Sequence, residues 1–231
     1  MTDPAPRPET PPPFRRRDGL VVAFAVGVFG VAFGVFAVAT GFSVAQAQVM
    51  SILVFTGGSQ FAAVGVISSG GSAAAAFASA GLLAARNTMY GLVLHPVLRG
   101  GRTRRLLAAQ LVIDESTAMA VAQTDPVEGE KAFWFTGVAV FVLWNLGTFA
   151  GAVGGNAIGD PETYGLDAAF PAGFVALMAP HLRKRPGLIA AVAGGFIAFV
   201  SIPLVPAGAP ILLASLGVVP AFVYLRREPA A

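Results

Sequence analysis

Apolar runs close to the length of a bilayer crossing recur from residue 20 to residue 225, and they fix the solvent in which this chain folds. A hydrocarbon core about 30 Å thick is crossed by about 20 apolar residues in a helix, whose backbone satisfies its own hydrogen bonds. The runs are 20–39, 46–67, 72–95, 131–156, 166–181, 188–205 and 209–225; an eighth, 106–124, is apolar in composition but carries Asp114 and Glu115 at its centre. Of 231 residues, 55% are hydrophobic and only 12% charged, too few charges to cover a soluble domain of this length. The expectation is an all-α, polytopic membrane helix bundle of seven to eight spans.

Residues 1–18 stand apart. The first fourteen carry six prolines and almost no apolar content, so they are expected to be a disordered tail, with 19–231 a single transmembrane domain. The arginines at 15–17 followed by run 20–39 imitate a secretory signal. That run exceeds the apolar core of such a signal and further membrane segments follow, so it is read as a retained first span. The formal charge of +3 comes from arginines gathered at segment ends: 15–17, 99–105, 183–185 with Lys184, and 226–227. These read as orientation signals rather than a nucleic-acid surface. With no cysteine, disulfides, thiolate zinc sites and Cys nucleophiles are excluded. There is no GxxxxGK loop, Ser/His/Asp pattern or metalloprotease pattern, so no nucleotide, cofactor or metal is expected, and the chain is not read as an enzyme.

An internal repeat is suggested at a constant offset of 113 residues. Gly34, Phe36, Ala37, Ala39 and Gly41 match Gly147, Phe149, Ala150, Ala152 and Gly154, and Leu53, Phe61 and Ala63 continue onto Leu166, Phe174 and Ala176. Two repeat units, about 19–98 and 131–206, follow from this register. Three spans per unit would invert the second copy and four would keep it parallel; the reading leans to inversion, and membrane orientation stays open because the arginine clusters of the first half conflict. Each unit then holds a helix expected to break at mid-membrane, at Thr56-Gly57-Gly58-Ser59-Gln60 and at Phe170-Pro171-Ala172-Gly173, where an unwound backbone exposes groups to a solute. Gly30-x-x-x-Gly34 instead reads as close helix packing.

Polar residues inside apolar runs are the candidates for chemistry, because an ionisable group at mid-helix costs roughly 2.5–3.5 kcal/mol in lipid and normally faces a bundle interior or a wet cavity. Arg86 lies about 14 residues, or about 21 Å, into its run, with Asn87 beside it and Tyr90 on the same face. Substrate contact and a structural ion pair with Asp114 or Glu115 are both open for it. Asp114 and Glu115, adjacent and so about 100° apart on a helix, are candidates for coupling transport to an ion gradient. Trp144 and Asn145 fall within a span. His95 and His181 lie at segment ends and read as interfacial.

Several stretches resemble the AzlC family, the large subunits of bacterial branched-chain amino-acid exporters. They are Phe55-Thr56-Gly57-Gly58-Ser59-Gln60-Phe61, Arg86 with Tyr90-Gly91, Asp114-Glu115, and Leu166-Asp167-Ala168-Ala169-Phe170-Pro171-Ala172-Gly173-Phe174. The resemblance covers most of residues 20–225. It implies a multi-pass protein of the bacterial inner membrane that exports Leu, Ile and Val, with Met as a further candidate, and a small AzlD-type membrane subunit as partner. Where the family reads Asn-x-Arg-His, this chain has Ala84-Ala85-Arg86-Asn87, so a histidine proton carrier is absent at that position. Residue chemistry and resemblance converge on a zwitterionic, apolar amino acid held by Gly57, Gly58, Ser59, Gln60, Phe61, Arg86, Asn87, Trp144, Asn145, Phe170, Pro171 and Phe174. Homo-oligomerisation is open. The alternatives are a transporter of another small solute, or a non-transporting scaffold or sensor whose polar residues only lock helices together.

Overall fold

The computed structural model describes residues 13–158, 175, 178, 179 and 181–227, and every element among them is helical. In chain order these are α1 (Arg16–Ala39), α2 (Val44–Leu53), α3 (Gly58–Ser68), α4 (Ala73–Leu94), α5 (Arg102–Gln110), α6 (Asp114–Val121), α7 (Pro126–Ile158), α8 (Arg185–Ser201), α9 (Ala209–Ala214), a 3-10 turn (Ser215–Gly217) and α10 (Val218–Arg227).

The expected seven to eight spans are not found among the described residues, which leave out most of run 166–181. Among the described residues three stretches are long and apolar enough to cross a membrane: Arg16–Ala39, Pro126–Gly155, and Ala209–Arg227, which joins α9, the turn and α10. The physical reason is helix continuity, which composition alone does not report. α1 stops at Gly41, whose φ of 96° suits glycine, and α2 starts afresh under a capping box. In that box the Gln46 N–H donates to Ser43 Oγ (3.2 Å) and the Ser43 N–H donates to Gln46 Oε1 (2.8 Å). Run 46–67 divides into α2 and α3, of 10 and 11 residues, and α8 has 17. At 1.5 Å per residue these reach about 15, 17 and 26 Å, short of the hydrocarbon core of about 30 Å. α4 has the length, at 22 residues, but Arg86 and Asn87 dilute its apolar character. Run 106–124 is two short helices, α5 and α6.

The internal repeats are corrected as well. Gly41 terminates α1 with a positive φ, whereas its supposed equivalent Gly154 lies inside the continuous helix α7, so the register fails at its own boundary. The matching small residues have another cause: Gly34 of α1 packs against Thr148, Gly151 and Ala152 of α7, and two helices in close contact need small residues on both sides. Leu166, Phe174, Ala176 and the segment Phe170 to Gly173 lie outside the described residues. The mid-membrane breaks are not supported either, since the interruption between Leu53 and Gly58 is flanked by short helices that belong to no membrane-length stretch.

The chain divides into two compact units, Met1–Val26 with Asn87–Leu143, and Gly27–Arg86 with Trp144–Ala231. In the first unit, Gly19 admits Thr136 and Phe135, and Gly137 admits Leu111 and Ser116. Ser116 organises the entry to α6: its Oγ donates to Leu111 O (2.6 Å) and accepts from the Ile113 N–H (3.2 Å). Leu94, Leu111, Ile113, Phe133 and Val140 are buried there.

In the second unit, α1 and α7 meet along a glycine seam. Gly30 faces Trp144, Gly34 faces Thr148, and from the other side Gly147 and Gly151 approach Gly27 and Val31, as expected for Gly30-x-x-x-Gly34. Ala63, Val66 and Ala76 form a core of α3 and α4. Gly194 of α8 admits Ala214 and Gly217, which docks α9 and the following turn. Large apolar side chains remain outside, including Phe24, Phe77 and Phe199, as in a protein whose outer solvent is lipid.

Candidate solute-binding site

The start of α3 holds several of the second unit's buried polar groups. α2 ends at Leu53, and the Val54 N–H closes it onto Met50 O (2.9 Å). The chain then passes Phe55 and Thr56 to Gly57, whose φ of 54° and ψ of −79° lie where a side chain is strained. Gly57 carries no side chain to cap α3, and among the described residues no acceptor takes the N–H groups of Gly58, Ser59 and Gln60. These amides carry the positive end of the helix dipole.

Gly58, Ser59 and Gln60 are all buried, the last two fully. Gln60 turns back onto α2, its Nε2 donating to Met50 O (3.1 Å). Between α2 and α7, Gln48 Nε2 donates to Asn145 Oδ1 (3.1 Å) and Ser51 Oγ donates to Thr148 Oγ1 (3.1 Å). Against this polar set stands an aromatic wall. Phe61 meets Phe33 edge-on (centroids 5.4 Å, 82°) and Trp144 edge-on (6.3 Å, 84°), while Phe33 stacks on Trp144 (6.0 Å, 23°) and Phe36 lies 6.3 Å from Phe61. The Trp144 ring borders Gly57.

Five buried polar atoms of this cluster have no hydrogen-bond partner among the described residues: Thr56 Oγ1, Ser59 Oγ, Gln60 Oε1, Gln48 Oε1 and Trp144 Nε1. Buried groups are nearly always paired, and leaving one unpaired costs about 1–3 kcal/mol, so these atoms are available to a solute. The atoms divide by chemistry. The α3 amides, Trp144 Nε1 and the two hydroxyls can donate, as a carboxylate requires, and the two amide carbonyl oxygens accept, as an ammonium requires. None of these side chains is ionised, so a net-neutral solute leaves no uncompensated charge behind. An open apolar groove of about 490 Å³, bordered by Phe42, Val49, Met50 and Leu53, runs beside Met50, the residue that binds Gln60.

The expected residues thus separate. Gly57, Gly58, Ser59, Gln60, Phe61, Trp144 and Asn145 come together in the second unit. Arg86, half-buried on α4, belongs to the same unit. Asn87, Asp114 and Glu115 belong to the first unit, where the two acids occupy the first turn of α6 and complement its dipole. Phe170, Pro171 and Phe174 lie outside the described residues. Gln48, Ser51, Thr148 and Phe33 were not anticipated, although Gln48 and Thr148 carry the signal of a polar side chain inside an apolar run.

Comparison with known proteins covers this region. The sequence pattern of a family described as AzlC protein matches residues 21–158. A relative, the branched-chain amino acid transport protein AzlC of Bacillus subtilis (strain 168), is 24% identical over 200 residues, or 86% of this chain and 78% of the relative. No solved structure matches. All the expected site residues up to Asn145 lie inside the matched stretch.

Proposed function

The chain belongs to the AzlC family and is therefore a membrane transport subunit and not an enzyme, and from that premise we propose that it exports branched-chain and similar hydrophobic amino acids, Leu, Ile, Val and Met. The observation that carries this reading is the uncharged polar cluster at the start of α3, set against Phe33, Phe61 and Trp144. The carboxylate of the amino acid takes the α3 amides, Ser59 and Trp144 Nε1; the ammonium takes the carbonyl oxygens of Gln60 and Gln48; the apolar side chain lies against the rings or the groove beside Met50. One methylene is worth only about 1–3 kcal/mol in such a pocket, so discrimination among Leu, Ile, Val and Met is shallow, whereas Asp and Lys are rejected for bringing an unpaired charge.

In this reading Asp114 and Glu115 serve coupling rather than binding. The setting is the bacterial inner membrane with several crossings and a small AzlD-type subunit as partner. The test is counterflow of labelled leucine in vesicles holding the chain with that subunit. Unlabelled Ile, Val and Met should compete and Asp and Lys should not; equal competition by unrelated solutes would replace the reading with a transporter of another class. The interhelical bonds Gln48 to Asn145 and Ser51 to Thr148 favour the second reading, a helix-locking scaffold. Under it, Gln60→Leu would lose folded protein before it lost leucine movement.

A further inference from the structure

α5, in the first unit, combines two features that a water-facing helix does not. Arg104 is anchored to the protein while half-exposed: its guanidinium pairs with Glu130 (3.0 Å) and lies over the Trp134 ring (5.4 Å to the centroid). One turn on, Ala108 is buried, so this side of the helix rests on the protein. Leu106 lies on the far side at 73% exposure and Leu107 on a flank at 60%, with exposed Arg102 and Arg105 on the adjoining face and Arg99 exposed just before the helix.

The acids nearby are already engaged. Glu130 takes Arg104 and the Arg99 N–H (3.2 Å), Glu128 takes Lys131 (2.7 Å), and Asp125 accepts the Val127 N–H (3.0 Å). Among the described residues Arg102 and Arg105 have no ion-pair partner.

We propose that α5 is an interfacial helix that binds an anionic phospholipid, with Leu106 and Leu107 among the acyl chains and Arg99, Arg102 and Arg105 on the headgroup. A soluble anion would answer the arginines and leave the leucines in water; a zwitterionic lipid would cover the leucines and leave the arginines without net compensation. An anionic lipid answers both, and basic residues beside a membrane attract such headgroups. The Glu130 and Trp134 contacts to Arg104 fix the helix in the orientation that presents this face.

Native mass spectrometry of the purified full chain, in detergent with equal phosphatidylglycerol and phosphatidylcholine, tests this. Phosphatidylglycerol adducts should exceed phosphatidylcholine adducts by about fivefold or more. R102Q/R105Q should bring the ratio towards one, while R226Q/R227Q, which removes the same charge from the end of α10, should leave it high. L106S/L107S should reduce adducts of both lipids. Parity in the unmodified chain, or an equal loss in R226Q/R227Q, would overturn the proposal, because net charge and not α5 would then set lipid preference.

Discussion

Gly57 joins local backbone geometry to the site, because its positive φ turns the chain from α2 into α3 and leaves the α3 amides uncapped. An added methyl would have ordinary space, with its nearest neighbour in the Trp144 ring at 3.5 Å, so Gly57→Ala isolates backbone strain from crowding. It should cost about 1–3 kcal/mol, read as a lower Tm in detergent, with a matching loss of leucine counterflow. Trp144→Phe separates packing from hydrogen bonding in the same way. The aromatic contacts with Phe33 and Phe61 persist in kind while the indole N–H is lost, so KM for leucine should rise roughly tenfold with Tm little changed. A large fall in Tm with an unchanged KM would show that the indole serves the fold alone. The structure brings Gly57, Ser59, Gln60 and Phe61 together, and the sequence marked them because polar residues and paired glycines interrupt an apolar run there. Phe33 was not, since one phenylalanine among many on α1 carries no mark of the ring it will meet.

At the scale of elements, the α1 to α7 seam decides which residues α7 can place beside its neighbours, Thr148 against α2 and Trp144 against α3. Gly34 faces the Thr148 carbonyl so closely that a β-carbon would require the helices to part, whereas Gly154 has nothing within 4 Å. Gly34→Ala should therefore destabilise by about 1–3 kcal/mol and Gly154→Ala should be nearly neutral, compared by thermal unfolding in one detergent. Equal effects would remove the seam from the argument. Of this level the sequence revealed the glycine packing. It did not reveal that the 46–67 and 106–124 runs each divide into two helices, because apolar content and helix continuity are separate properties. In run 106–124 Ser116, bonded to Leu111 and Ile113, starts α6 where hydropathy alone runs on, while run 46–67 divides at Gly57, whose positive φ turns the chain.

For the whole molecule, membrane character was legible from composition and the number of crossings was not, since a run such as 72–95 scores by its alanines while Arg86 and Asn87 weaken it as lipid-facing surface. The three long apolar helices make a prediction that can be read position by position, because the chain has no cysteine and any engineered thiol reports alone. Phe24→Cys, Val142→Cys and Phe222→Cys sit on exposed faces of the three membrane-length stretches. In sealed vesicles each should resist a charged thiol reagent and react once the bilayer is dissolved, because the reagent does not enter hydrocarbon. Ser69→Cys, Arg102→Cys and Asp125→Cys lie between or at the ends of helices and should react from one side of the membrane or the other. Thr56→Cys belongs to neither group. If the cluster at the start of α3 receives the solute, its labelling should be slowed by leucine and left unchanged by aspartate. Protection at Thr56 with free reaction at Phe24 would keep the site and remove the crossing assigned to α1; protection at Phe24 with no leucine effect at Thr56 would keep the crossing and remove the site.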